Sequence, residues 1–214
     1  MRRFLRTISV SLLLLIMGSS VAHASERYYL LVLAAQSDPP RAVDSHTFAT
    51  FVKASGEGSN PRAWTLECHT ISWMPKNMDI EIRIRPEAGE NIDLNESLIW
   101  AWQHQAHVSV WGPYEIDRRL YDLALQQIAR LERGQMRYRL ADGNLRPKKA
   151  LNGVHAITDL VPDLPLVYTG YAYGDKAGAM AVEHFEPWIR SPQQSADWLL
   201  DRLGLTAYGV VRRK

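Results

Sequence analysis

The sequence is poor in cysteine, since Cys68 is the single thiol among 214 residues. An intramolecular disulfide is therefore impossible, and stability has to come from a hydrophobic core. The composition suits such a core, because 46% of the residues are hydrophobic and seven are tryptophan. A chain of this length buries roughly 70% of its unfolded surface, which is enough for a stable domain without crosslinks.

Long hydrophobic runs are also scarce, and the one that exists lies at the front. Arg2, Arg3 and Arg6 precede an apolar run over 8–17, and small residues follow as far as Ala24. The run is shorter than the roughly 20 residues that a membrane-spanning helix needs. The pattern predicts a secretory signal peptide over 1–24 with an A-x-A cleavage site. We therefore expect a mature protein, 25–214, in the periplasm or outside the cell, with no transmembrane segment.

An excess of positive charge is absent once the predicted signal is removed. The whole chain has a formal net charge of +2 and a pI of about 8.7, values that would suit a nucleic-acid-binding protein. The predicted signal contains three arginines and no acidic residue, so the remaining 190 residues carry a net charge of −1. Nucleic acid is therefore not an expected partner.

Hydrophobic periodicity predicts both strands and helices along the rest of the chain. Short apolar or alternating runs predict strands at 28–35, 46–53, 64–73, 79–85, 107–111 and 136–140. Amphipathic spacing and capping residues predict helices at 93–102, 114–133, 152–160 and 194–203, a further segment at 181–188, and an extended tail at 207–214. Without repeats or linkers, this pattern favours one α+β domain over 25–214, an antiparallel sheet with packed helices.

The common metal and cofactor motifs are missing. His104 and His107 have a spacing that suits one helix face, but no third zinc ligand lies at a motif distance. Searches for a phosphate-binding glycine loop and for a serine-nucleophile elbow find nothing. We expect neither a metal nor a cofactor.

Three polar positions form an arrangement that points to a known family. His46 begins an early strand as Ser-His-Thr-Phe, His69 lies on the next strand, and Asn152 begins a helix as Asn-Gly-Val-His-Ala. This arrangement resembles the circularly permuted papain-like proteins, the group of the lecithin:retinol acyltransferase relatives and of bacterial envelope amidases and acyltransferases. In that group a histidine on an early strand is the base, and a cysteine that follows asparagine at a helix start is the nucleophile.

The resemblance implies a role for each matching residue. His46 matches the base, His69 a third, orienting residue, and Asn152 the residue before the nucleophile, while His155 is a candidate binding residue. The nucleophile position is occupied by Gly153, which has no side chain. We therefore expect no cysteine chemistry. The implied function is a binding or scaffolding derivative of a permuted papain-like hydrolase, with a cell-envelope peptide, glycan or acyl substrate as partner.

Cys68 is the one thiol that could replace the missing nucleophile. Alternation along the predicted strand points Cys68 and His69 to opposite faces, so Cys68 meets His46 only if the strand register allows it. A cysteine in the middle of a strand lacks a helix dipole and usually serves as a small buried hydrophobe. Burial is therefore the expectation, and a reactive thiol is the alternative.

The tryptophans suggest a second class of function. Five of the seven lie between Trp64 and Trp111, and exposed aromatic rings commonly hold sugars or apolar groups. Trp73, Trp111 and Tyr114 are the candidate binding residues, because the sequence around Gly112 indicates a strand end beside a cleft. The alternative function is a non-enzymatic envelope protein that binds glycan or peptide through these rings.

Overall fold

The computed structural model describes residues 25–83, 85–141, 150–161, 164–165, 167–191 and 196–213; the predicted signal at 1–24 lies outside these ranges. The strands are β1 (Ser25–Gln36), β2 (Ser45–Gly56), β3 (Thr65–Ile71), β4 (Trp73–Pro75), β5 (Glu87–Asn91), β6 (His107–Ile116), β7 (Arg137–Tyr138), β8 (Ala150–Leu151), β9 (Ile189–Ser191) and β10 (Val211–Arg212). The helices are α1 (Leu94–Gln103), α2 (Arg118–Glu132), α3 (Gly153–Thr158), α4 (Asp175–Phe185) and α5 (Trp198–Arg202). Within the described ranges, none of these helices has the length and hydropathy that crossing a bilayer requires.

The main sheet is built around the long hairpin of β1 and β2. The two strands pair antiparallel along their whole length, from Ser25 opposite Gly56 to Gln36 opposite Ser45. The order of the sheet is β10-β6-β1-β2-β3, with β9 also paired to β6. Most pairs are antiparallel, and β10 is parallel to β6. The predicted α+β class is confirmed.

The unbroken apolar run of β1 is explained by burial on both faces of this sheet. Leu30 and Val32 belong to a core shared with α2, α3 and α4. Leu31 and Leu33 belong to a second core, shared with α1 and α5. A strand covered on both faces has no solvent side, so its sequence shows no alternation.

A small second sheet carries the chain to the candidate site. Its order is β4-β5-β7-β8, and β4 starts two residues after the end of β3. β8 is parallel to β7 and leads directly into α3. The edge of this sheet therefore determines where α3 begins relative to β2.

One predicted strand is wrong, and one predicted helix starts later than expected. Residues 79–83 form no strand, and Ile82 is 77% exposed whereas Ile80 is buried. The strand in this region is β5, which starts at Glu87 and pairs with β4. The predicted helix at 114–133 begins only at Arg118, because β6 continues to Ile116 and buries Tyr114 on the way.

The other predicted elements are confirmed with shifted ends. The capping box of Asp93 and Glu96 starts α1, and Asn152 caps α3. The strand predicted at 136–140 is reduced to β7, the last predicted helix to α5, and the extended tail to β10. The strand predicted at 64–73 is divided into β3 and β4 at Ser72.

Candidate functional site

The first residues of α3 lie directly against the first residues of β2. Asn152 caps α3, with its Oδ1 accepting a hydrogen bond from the His155 amide at 2.9 Å. Its Nδ2 donates to the Leu140 carbonyl at 3.2 Å, which ties the cap to the chain beyond β7. The next residue, Gly153, faces the His46 ring. The structure thus brings together the predicted base and the predicted nucleophile position.

The contact at Gly153 leaves no room for a side chain. A Cβ atom placed on Gly153 would lie 2.5 Å from the Thr47 carbonyl oxygen and 3.0 Å from His46 Nδ1. The first contact is with backbone, so it is not relieved by a rotamer change. A larger residue at this position would require α3 to move away from β2. Glycine is therefore the residue that lets the two backbones approach.

His46 is held in one orientation by hydroxyl and aromatic neighbours. Its Nε2 lies 2.8 Å from Ser72 Oγ, and Ser72 Oγ lies 2.8 Å from Ser97 Oγ. Ser97 also donates to the Asp93 carbonyl at 2.6 Å, in the first turn of α1. Phe48 stacks on the ring, and the edge of Trp100 closes the other side. The imidazole is therefore fixed by a buried polar chain that ends on α1.

Burial also determines the charge of His46. The residue is 4% exposed, and desolvation lowers the pKa of its imidazole to about 3. The ring is therefore neutral near pH 7. A neutral imidazole offers one donor and one acceptor nitrogen, and here Ser72 engages Nε2.

A cavity of about 400 Å³ opens over His46 and Gly153. Its floor is the start of β2 and α3, one wall follows Tyr138, and the other wall is the loop 167–174. The lining residues with apolar or aromatic side chains are Ala42, Ile82, Tyr138, Leu140, Ala141, Val154, Tyr168, Tyr171, Ala172, Tyr173 and Ala177. The polar ones are Ser45, His46, Thr47, Asn152 and Thr169. Among the described lining residues, none is charged.

The loop 167–174 is anchored where α4 begins. Asp175 donates its amide to Gln36 Oε1 at 3.1 Å, and Gly174, at φ +55°, packs its α-carbon against the same Gln36 side chain. Tyr173 adds a long hydrogen bond to the Pro40 carbonyl at 3.4 Å. The cavity wall is therefore attached to the turn end of the β1–β2 hairpin.

Arg213 also holds the start of α4, through a contact with Asp175. Its backbone amide donates to the Val110 carbonyl at 2.8 Å, which continues the parallel pairing of β10 with β6. Its guanidinium reaches Asp175 Oδ2 at 2.6 Å and Ser109 Oγ at 3.0 Å. The start of α4 is therefore tied to β6 through Asp175.

His69 does not join this group, although the resemblance implies an orienting role for it at the site. It lies opposite Phe51, five residues along β2 from His46. Its ring contacts Glu67 at 2.9 Å and the edge of Tyr121. The orienting position is occupied by Ser72, which follows β3 directly. Sequence reasoning missed Ser72 because a serine between two strands has no local signal for this contact.

Cys68 does not replace the nucleophile. It lies opposite Val52, six residues from His46, which is about 20 Å along the strand. The expectation that it is buried is also wrong, because its side chain is exposed. Desolvation by the groups around it nevertheless raises the pKa of the thiol, the opposite of what a nucleophilic cysteine needs.

The candidate aromatic residues and His155 lie away from the cavity. Trp73, Trp111 and Tyr114 are at most 6% exposed, and none of them lines this cavity. Trp111 and Tyr114 instead line a second cavity, of about 520 Å³, beside α4. His155 is buried behind the start of α3, with Nδ1 3.4 Å from Asp159 Oδ1. The tryptophan that the described structure exposes is Trp102, at 76%, on α1. The exposed aromatic rings at the cavity are tyrosines.

Comparisons of the chain with protein-family models, curated proteins and solved structures find no match. In the described part of the chain, no three His, Cys, Asp or Glu side chains are placed to share a metal ion. The chemistry of the site therefore has to be inferred from its own geometry: a neutral, oriented imidazole beside a residue without a side chain, under a cavity whose described lining carries no charge.

The buried imidazole predicts a pH dependence of stability. The unfolded chain binds a proton on His46 below about pH 6.5, whereas the folded chain does so only below about pH 3. Between these values the free energy of unfolding should fall on acidification, by up to about 1.4 kcal/mol per pH unit. In His46→Gln, denaturant titrations from pH 7 to pH 4 should show a flatter dependence. Val52→Ala weakens the same strand without removing a titratable group and should keep the wild-type slope; equal slopes in all three proteins would contradict the burial argument.

The Arg213 contact predicts a local effect on the loop. Arg213→Ala should increase opening of 167–174 by about fivefold, since a partly exposed ion pair contributes up to about 1 kcal/mol. Chymotrypsin cleavage at Tyr168 and Tyr171 under native conditions measures this opening. The matched control is Arg212→Ala, because Arg212 pairs with Asp197 instead. Equal cleavage rates in the two variants would show that the Asp175 contact does not hold the loop.

Proposed function

We propose that this protein is an exported, non-catalytic derivative of the permuted papain-like fold that binds a cell-envelope ligand in the cavity over His46. The ligand would present an amide, ester or peptide-like group to the site, as the substrates of the resembling enzymes do. One observation carries the proposal. The space of a nucleophile beside His46 is closed by the contact of Gly153 with Thr47, while the cavity over the same residues remains open.

The spatial arrangement supports the resemblance. In the resembling family a histidine near a strand start faces a helix start that follows asparagine. Here His46 is the second residue of β2, Asn152 caps α3, and the two elements touch at Gly153. A sequence separation of about a hundred residues makes this contact a property of the fold rather than of a local motif.

The shape of the cavity supports binding. Its volume lies within the range of roughly 300–1,000 Å³ that is usual for small-molecule sites, which are mostly apolar with a few placed polar groups. His46 and Asn152 are such polar groups, and both are fixed by hydrogen bonds to the protein. A rigid polar floor under apolar walls orients a ligand without reacting with it.

Export is supported by the sequence and remains part of the proposal. Three arginines, a short apolar run and small residues ending at Ala24 have the order of a signal peptide.

Binding through tryptophans has less support than binding in the cavity. Trp73 and Trp111 are buried in the cores, and Trp102 lies on α1, away from the cavity lining. The aromatic alternative keeps two possible places: the tyrosines of the loop 167–174, and the second cavity that Trp111 and Tyr114 line.

The first test is binding to the wild-type protein. We expect at least one member of a panel of N-acylated short peptides and peptidoglycan fragments to raise the melting temperature. Ala172→Trp fills the cavity and should weaken that binding at least tenfold, since the bulky ring occupies the space of the ligand. The matched control is Ala207→Trp, the same change at an exposed position near the end of the chain. Undiminished binding in Ala172→Trp, or no binding by any panel member, would contradict the proposal.

The second test restores the missing nucleophile. In a Cys68→Ser background, Gly153→Cys should react with p-nitrophenyl acetate in a stoichiometric burst, because the new thiol lies beside His46 Nδ1. Gly153→Ala, which has the same steric cost of about 1–3 kcal/mol, should show no burst. The burst should disappear when His46→Gln is added. If Gly153→Cys is folded by thermal unfolding yet as inert as Gly153→Ala, the resemblance to the papain-like site loses its support.

A further inference from the structure

Exposed apolar side chains are concentrated at the mouth of the cavity. Ile82 is 77% exposed, Tyr168 65% and Tyr171 99%, and all three line the cavity. They come from two separate segments, the loop after β4 and the loop before α4. Apolar surface left in water on both sides of one opening is typical of a site that a ligand covers.

The described residues of the cavity offer no opposite charge to a charged ligand. The described lining residues include five with neutral polar side chains and none with a carboxylate, ammonium or guanidinium group. A charged group that entered would lose its hydration without forming an ion pair, which is strongly unfavourable. The part of the ligand that lies inside is therefore better matched when it is neutral.

One ring nitrogen at the cavity floor has no hydrogen-bond partner among the described residues. His46 uses Nε2 for Ser72, and its Nδ1 lies on the side of the ring that faces Gly153. The His46 side chain lines the cavity. A neutral imidazole whose second nitrogen has no protein partner can form one hydrogen bond with a ligand, so Nδ1 is the anchor for one polar atom of a ligand.

We propose that this cavity selects by charge: it takes an uncharged, apolar or aromatic group with one hydrogen-bonding atom for His46 Nδ1, and it rejects carboxylates, phosphates and amines. The inference rests on the proposed binding function and names the class of ligand. It implies that a peptide or acyl ligand enters through a blocked or internal part of the molecule, with its charged ends outside the tyrosine rim.

Charge selection can be measured without the natural ligand. Val154→Cys in the Cys68→Ser background places one thiol in the cavity floor, and the unmodified protein provides the exposed Cys68 thiol as its control. Each protein is treated with neutral methyl methanethiosulfonate, cationic 2-aminoethyl methanethiosulfonate and anionic 2-sulfonatoethyl methanethiosulfonate. The measured quantity is the ratio of two modification rates at the same thiol, that of the neutral reagent over that of a charged reagent. Because both rates belong to one thiol, differences in pKa between the two thiols largely cancel.

At the cavity thiol we expect the neutral reagent to react faster than both charged reagents. The ratio of the neutral rate to each charged rate should be at least tenfold larger at this thiol than at Cys68. Equal ratios at the two thiols, or a preference for either charge in the cavity, would overturn the proposal. Thr169→Cys, on the opposite wall, is the second variant and should give the same preference if Val154→Cys does not fold. If a panel member binds but the rate ratios are the same at both thiols, charge selection alone is refuted. If the rate ratios differ as expected but no panel member binds, the binding function alone is refuted.

Discussion

The contact between Gly153 and the Thr47 carbonyl sets the geometry of the site. A backbone oxygen cannot turn aside as a side chain can, so the first turn of α3 approaches β2 this closely only if its first residue is glycine. The same approach places Asn152 over the cavity and presses the helix start against the His46 ring. The absence of a side chain at Gly153 is thus what holds the floor of the cavity together.

The chain of hydroxyl groups behind His46 explains how a polar ring is kept at this contact. Burying an imidazole without partners is costly, and the Ser72 contact together with Ser97 reduces that cost while fixing the ring plane. With glycine at 153, the described surroundings contribute no anionic group to His46, so nothing among them offsets the loss of hydration that its cation would suffer. A thiolate at position 153 would be such a group. As it stands, the environment of His46 therefore suits a ring that stays neutral and forms hydrogen bonds.

The sequence predicted the elements whose signals are local. The apolar run of β1, the capping box of α1 and the Asn152 cap depend on neighbours within a few residues, and the structure contains all three. Ser72 and the loop 167–174 could not be predicted, because their roles depend on strand register and on contacts across the fold. The strand predicted from the alternating isoleucines at 79–85 is wrong for a related reason. Ile80 is buried, but the described residues 79–83 pair with no strand, and Ile82 lies at the cavity mouth.

Asp175 connects the wall of the cavity to the main sheet. Three segments distant in sequence meet there: Gln36 at the end of β1, Ser109 in β6 through Arg213, and the first turn of α4. The floor of the cavity belongs to β2, the strand paired with β1, so floor and wall are held by the same hairpin. A ligand between them would contact elements whose relative positions are already fixed by the two buried cores. Binding would therefore carry little free-energy cost for ordering the site.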